Sequence, residues 1–299
     1  MRDGVVLIDK GEGMTSFDVV GKIRRLYGTK QVGHTGTLDP MATGLLTVLV
    51  GRAVKASEYL TEHDKTYRAT LRLGLTTDTE DVTGKALTEC DDIPDVETVK
   101  KVCQGFVGEI KQIPPMYSAL KKDGKKLCDL AREGIEIERE ARDITVYSLT
   151  CKETDRNDEY TLEVACSKGT YIRTLCADIG KALGCGGVMA TLRRTSVGEF
   201  SLGNAVTLTE LESMTEKERE ALVLDTETLF YEHKKVLLPD FFARLCNSGC
   251  EIYLKKLALD LDLGEKVRLY DKNGFFSLGE VREFENGKAI KPIKNFRID

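Results

Sequence analysis

Apolar positions along this chain change their spacing several times, and each change marks a predicted element. The unbroken run Val5-Val6-Leu7-Ile8 predicts a short strand buried on both faces. Val19, Val20, Ile23, Leu26 and Tyr27 then recur at helical spacing. Thr15-x-x-Asp18 stands ahead of them and Gly28 behind, so a capped helix is predicted over about residues 16–27. Residues 45–50 form a second apolar run. Tyr67, Ala69, Leu71 and Leu73 alternate with Arg68, Thr70 and Arg72, the period of a half-buried strand. Val96, Val99, Val102, Cys103 and Phe106 make one helical stripe, expected to be core. Tyr160, Leu162, Val164 and Cys166 predict another strand. The helix after it buries Ile172, Leu175, Cys176, Ile179 and Leu183 and stops at Gly184.

Strands and helices interleave without a regular βαβ repeat, so the predicted class is α+β with a mixed sheet flanked by helices. Residues 111–143, with Pro114-Pro115, a lysine cluster and a helical piece near 125–133, are expected to form an irregular insertion. Residues 208–230 are expected to form acidic surface helices. From Pro239 the composition shifts to a β-rich tail, where Lys272-Asn273-Gly274 between two apolar runs predicts a hairpin. The 299 residues suggest two domains.

Composition narrows the class. With 41% hydrophobic and 31% charged residues, the chain is ordinary for a globular protein. No run approaches the ~18 apolar residues of a membrane span. The start lacks a signal-peptide pattern. Nine cysteines without a C-x-x-C pair are expected to be reduced and packed, and three distant histidines give no zinc spacing. A cytoplasmic, metal-free protein is expected. The net charge of −5 is uneven: residues 76–100 carry eight acids against two bases, and residues 205–240 nine against four, which leaves +6 on the remainder. Lys22, Arg24 and Arg25, the cluster Lys121, Lys122, Lys125 and Lys126, and Arg193 with Arg194 are candidates to follow a phosphate backbone.

The candidate chemistry centres on Gly33-His34-Thr35-Gly36-Thr37-Leu38-Asp39-Pro40-Met41-Ala42-Thr43-Gly44. Pro40 steers Asp39 away from helical backbone angles, and the glycines permit turns and close approach of a ligand. Asp followed by Pro also suits an ordinary type I turn, so the residues alone fit both a presented carboxylate and a plain loop.

Asp9-Lys10, Gly13-Met14-Thr15-Ser16, the Asp39 loop, Lys65-Thr66-Tyr67-Arg68, residues 113–121, Lys168-Gly169-Thr170-Tyr171-Ile172-Arg173 and Leu192-Arg193-Arg194 occur as ordered blocks. Together they resemble the TruB family of tRNA pseudouridine synthases over about residues 4–200. The resemblance implies a pseudouridine-synthase catalytic domain at 1–235 with an RNA-gripping insertion at 111–143. It also implies a small PUA-like RNA-binding domain at 236–299. It implies conversion of uridine 55 in the tRNA T-loop to pseudouridine, with the target base flipped out of the stack and no cofactor.

In the roles the resemblance implies, Asp39 is the central catalytic carboxylate and Arg173 its guanidinium partner. Tyr67 stacks on the uracil and removes the C5 proton, and Tyr171 closes the other side of the pocket. His34 braces the gap left by the flipped base. Lys10 shapes the pocket, although Gly11 stands where relatives commonly have proline. Leu192 supplies an apolar wall, and Arg193 and Arg194 contact phosphate. The T-arm of tRNA is the expected partner, with no guide RNA and no membrane, and a monomer is expected. Two other classes compete with this one: an RNA-folding factor without chemistry, and metal-dependent phosphoryl transfer at Asp78, Glu80 and Asp81, an acid run that otherwise reads as a solvated turn.

Overall fold

The structure is a computed structural model that describes residues 2–59 and 63–297. A mixed 11-stranded sheet dominates it. Its main path runs Val206–Thr207, Gly4–Lys10, Thr43–Val50, Gly187–Val197, Lys65–Leu73, Glu159–Cys166, Arg142–Glu153 and Gly108–Gln112. Most neighbours are antiparallel. Gly187–Val197 runs parallel to Thr43–Val50, and Val206–Thr207 runs parallel to the first strand.

The expected buried strand is Gly4–Lys10, and its apolar run does serve two cores. Val6 and Ile8 face a cluster with Val19, Val20 and Ile23, whereas Val5 and Leu7 pack with Leu45, Leu49, Phe200 and Phe230. Each such Val or Leu contributes about 1.5–3 kcal/mol through burial. The helices Ser16–Leu26, Val96–Gln104 and Ile172–Leu183 all lie on the first of these cores. Thr15 makes the reciprocal capping box with Asp18, and Gly184 ends the last helix at φ +81°. Five cysteines are buried and all nine are free.

A second, five-stranded sheet is built from Lys234–Leu237, Lys266–Asp271, Gly274–Phe284, Gly287–Asn295 and Ile252–Tyr253. It contains the expected hairpin. The tail departs from its reading in two respects: the sheet begins at Lys234, ahead of Pro239, and a helix, Asp240–Asn247, packs into its core. Leu278, Phe296 and Phe275 join Phe230 and Leu45 in one cluster, so the small sheet leans on the back of the large one. The expected insertion is shorter than read, because Lys111 and Gln112 pair with Asp143 and Arg142 inside the large sheet.

Candidate active site

Asp39 lies in a four-residue turn closed by the Ala42 amide donating to the Asp39 carbonyl at 3.0 Å. The turn and the presented carboxylate are therefore one structure. Three neighbours hold it. Ser16, at the start of the first helix, exchanges two hydrogen bonds with the backbone of Leu38, at 2.9 and 3.1 Å. The Gly13 amide donates to the Pro40 carbonyl at 2.8 Å. Lys10 Nζ donates to the carbonyls of Gly11, Met14 and Pro40 at 2.9, 2.7 and 3.2 Å. Burial lowers the Lys10 amine, and the Asp39 charge opposes that shift. Lys10 is fully buried with its three donors in use, so it shapes the Asp39 turn and does not line an open pocket.

Arg173 is the hub. It does not extend into water from the helix start, as its position in the helix allowed; its side chain is 7% exposed. Nε lies 3.0 Å from Asp39 Oδ2. Nη1 donates to the Thr79 carbonyl at 3.1 Å and stands 3.8 Å from Asp81 Oδ2, while Nη2 donates to the Tyr117 carbonyl at 2.8 Å. One guanidinium thus joins three loops, and Asp39 keeps 37% of its side chain exposed. The carboxylate is at once paired and reachable.

The acid run does not form a solvated turn. Asp81 is buried, and its Oδ1 accepts from Thr79 Oγ1, Thr83 N and Thr83 Oγ1 at 2.8, 2.9 and 2.6 Å. Glu80, at φ +63°, accepts from Thr174 Oγ1 on the Arg173 helix, and burial pushes its carboxyl up. These acids belong to the Arg173 frame. Their composition gave no sign of it. Nor did any sequence signal mark Gln112, whose buried side chain accepts from the Tyr171 amide at 2.8 Å and donates to the Tyr171 carbonyl at 3.0 Å.

Arg194 overturns an expectation. It is 1% exposed, with Nε donating to the Leu45 carbonyl at 2.8 Å and Nη2 to the Gly36 carbonyl at 3.0 Å. A group so placed cannot meet phosphate. It pins both ends of the Asp39 loop, and Gly44, at φ +99°, is required because a Cβ there would sit 2.3 Å from the Arg194 carbonyl. Tyr67 is buried beside it; burial raises the phenol, and the Arg194 charge and hydrogen bond oppose the rise. Arg193 is partly exposed and pairs with Asp9 at 2.6 Å. Leu192 is buried on the same strand.

His34 is not in a loop. Val32–Thr35 is a strand paired to Thr43–Val50, and the His34 ring is half-buried with Nδ1 unpartnered. Burial, then the Arg194 charge, lowers its pKa, so the ring is neutral at pH 7. Lys65, whose Nζ donates to the His63 carbonyl, is lowered to about 8, first by burial and then by Arg194. Between about pH 8 and 10.5 the unfolded chain therefore binds the Lys65 proton and the folded protein does not, so this group adds stability as pH rises. Denaturant titrations of wild type and Lys65→Met should show the wild type gaining on the variant across that window. A constant difference would contradict the assignment.

Comparison with known proteins adds an independent line. Residues 24–172 match the family model described as TruB family pseudouridylate synthase (N terminal domain), and residues 173–239 match the tRNA pseudouridylate synthase B C-terminal domain. The tRNA pseudouridine synthase B of Dechloromonas aromatica (strain RCB) is 46% identical over 278 residues, 93% of this chain and 91% of that protein. That of Alkaliphilus oremlandii (strain OhILAs) is 42% identical over 295 residues, 98% of both. Among solved structures, a Cbf5-Nop10-Gar1 complex matches with a TM-score of 0.75 at 26% identity, covering 98% of this chain and 85% of that one. The paired Asp39 loop, the mixed sheet and near-full-length identity above 40% agree: the chain belongs to the TruB family of pseudouridine synthases.

Proposed function

We propose that this protein converts uridine 55 in the T-loop of tRNA to pseudouridine, with Asp39 as the catalytic carboxylate. The observation that carries the reading is a carboxylate ion-paired to a buried arginine and still one-third open to solvent. The identity of curated relatives as tRNA pseudouridine synthase B supports the substrate. The reaction is an isomerisation. The N1 to C1′ bond breaks, C1′ joins C5 of the same uracil, C5 loses a proton and N1 gains one. No redox partner or group donor enters the balance. A carboxylate divides the barrier into steps by attacking the sugar or ring, or by acting as a base. The Arg173 guanidinium, 3.0 Å from Asp39, pairs with that carboxylate and fixes its orientation toward the substrate. Tyr67, buried as a neutral phenol, packs against the uracil, Tyr171 closes the other side of the pocket, Leu192 lines its wall, and His34 braces the gap left by the flipped base.

The remaining surface fits an RNA partner. Lys121–Lys122 and Lys125–Lys126 form an exposed hairpin with lysine opposite lysine in both rows, an arrangement that repels itself and suits a polyanion. The insertion, residues 113–141, grips the RNA in this reading, and the unit built on the small sheet from Lys234 onward serves as a PUA-like RNA-binding domain, where Lys255 and Lys256 approach the Tyr253 ring at 5.6 and 6.0 Å. The protein works as a monomer in the cytoplasm without a guide RNA. Incubating purified protein with unmodified tRNA and mapping pseudouridine tests the reading: product at the T-loop uridine without added cofactor is expected. Product in another arm alone would contradict the substrate assignment.

A further inference from the structure

Phe17 is the most exposed large apolar side chain among the described residues, at 68%. The helix Ser16–Leu26 buries Ser16, Val19, Val20 and Ile23, and Phe17 falls off that stripe, so the fold makes little use of its ring. Its location is defined. Ser16, the residue before it, holds Leu38 by two hydrogen bonds, and Leu38 precedes Asp39. Phe17 thus follows, on the same helix, the residue that anchors the Asp39 turn. Two turns along the helix, Arg24 sets its guanidinium carbon 5.7 Å from the ring centroid. Its Nη2 reaches the Val32 carbonyl at 3.4 Å, on the strand that carries His34, and its buried Nε has no partner. A cation tied to the site's own strand braces one face of the ring. The rest of the ring is left to solvent.

We propose that Phe17 is a stacking platform for a nucleotide of the substrate RNA that flanks the everted uridine. The inference rests on the tRNA reading above. An exposed aromatic ring offers a π face to any base, and an adjacent guanidinium adds attraction for the backbone. Aromatic stacking gains little before RNA arrives and nothing specific to the transition state, so its effect belongs in binding.

The chain contains no tryptophan, so Phe17→Trp introduces a single emitter at this position. With a T-arm hairpin RNA as probe, its emission should be quenched with saturation near the KM. Phe17→Ala and Phe17→Leu should raise KM about tenfold with kcat changed less than about twofold, and Phe17→Tyr should remain near wild type. Unquenched emission, or a Phe17→Ala enzyme with wild-type KM, would overturn the platform. Phe17→Leu matching wild type would show that packing suffices and overturn stacking. A wild-type protein that makes no pseudouridine while Phe17→Trp is still quenched would overturn the function and leave the platform standing.

Discussion

Asp39→Asn is expected to abolish pseudouridine formation, lowering the single-turnover rate by roughly 10⁴-fold or more, while tRNA affinity stays within about threefold of wild type. The amide nearly matches the carboxylate in shape, and the turn that carries residue 39 is held by Ser16, Gly13 and Lys10 through backbone groups that the substitution leaves alone. What disappears is the negative charge and its nucleophilic or basic oxygen. Rapid-quench kinetics at saturating enzyme, with binding measured separately by filter retention, divides the two effects. A loss confined to binding would assign Asp39 a purely structural role.

The second large effect is expected at Arg173. Its guanidinium meets Asp39, Thr79, Asp81 and Tyr117 at once, and the single ammonium of lysine cannot span them. Arg173→Lys should leave at least one buried carbonyl unpaired, at about 1–3 kcal/mol, and let Asp39 shift from its position. A rate about 100-fold lower is expected, with KM changed far less. Arg173→Met, which also strands the buried Asp81 charge, should be worse and should unfold at lower temperature, because losing one partner of a buried pair costs about 3–5 kcal/mol. Single-turnover rates and thermal melts of both variants check this. Arg173→Lys with wild-type kcat would show that charge alone is needed. The guanidinium acts through Asp39, so it positions the reacting group.

Periodicity made much of the framework legible. Strands at Gly4–Lys10, Thr43–Val50, Lys65–Leu73 and Glu159–Cys166 and helices at Ser16–Leu26, Val96–Gln104 and Ile172–Leu183 follow the apolar spacing, because local backbone geometry sets which positions share a face. The site was legible only where a motif marked it. Asp39 stands out by its Gly and Pro neighbours, whereas Arg173 by itself reads as any arginine near a helix start and only the family resemblance marks it. Its partners lie far along the chain, Thr79 by 94 residues and Tyr117 by 56, and no local pattern encodes which loops meet over one side chain. The same limit applies to Asp81 and Arg194. Asp81 sits in a run whose composition reads as solvated, and Arg194 neighbours an arginine that is partly exposed; in each case a distant partner, Arg173 or the carbonyls of Gly36 and Leu45, takes the charge inside. Lys234–Leu237 pairs with Lys266–Asp271, a partner 33 residues further along the chain, which is why the small sheet begins before the proline that marks the change in composition.

The direct test is a crystal structure of the Asp39→Asn protein bound to a T-arm hairpin RNA. One loop uridine should lie outside the stack, with its sugar or ring about 3–3.5 Å from the residue 39 side chain, Tyr67 against the base and Arg173 still joined to Thr79 and Tyr117. A bound hairpin whose uridines all stay stacked, with residue 39 facing solvent away from any nucleoside, would contradict it.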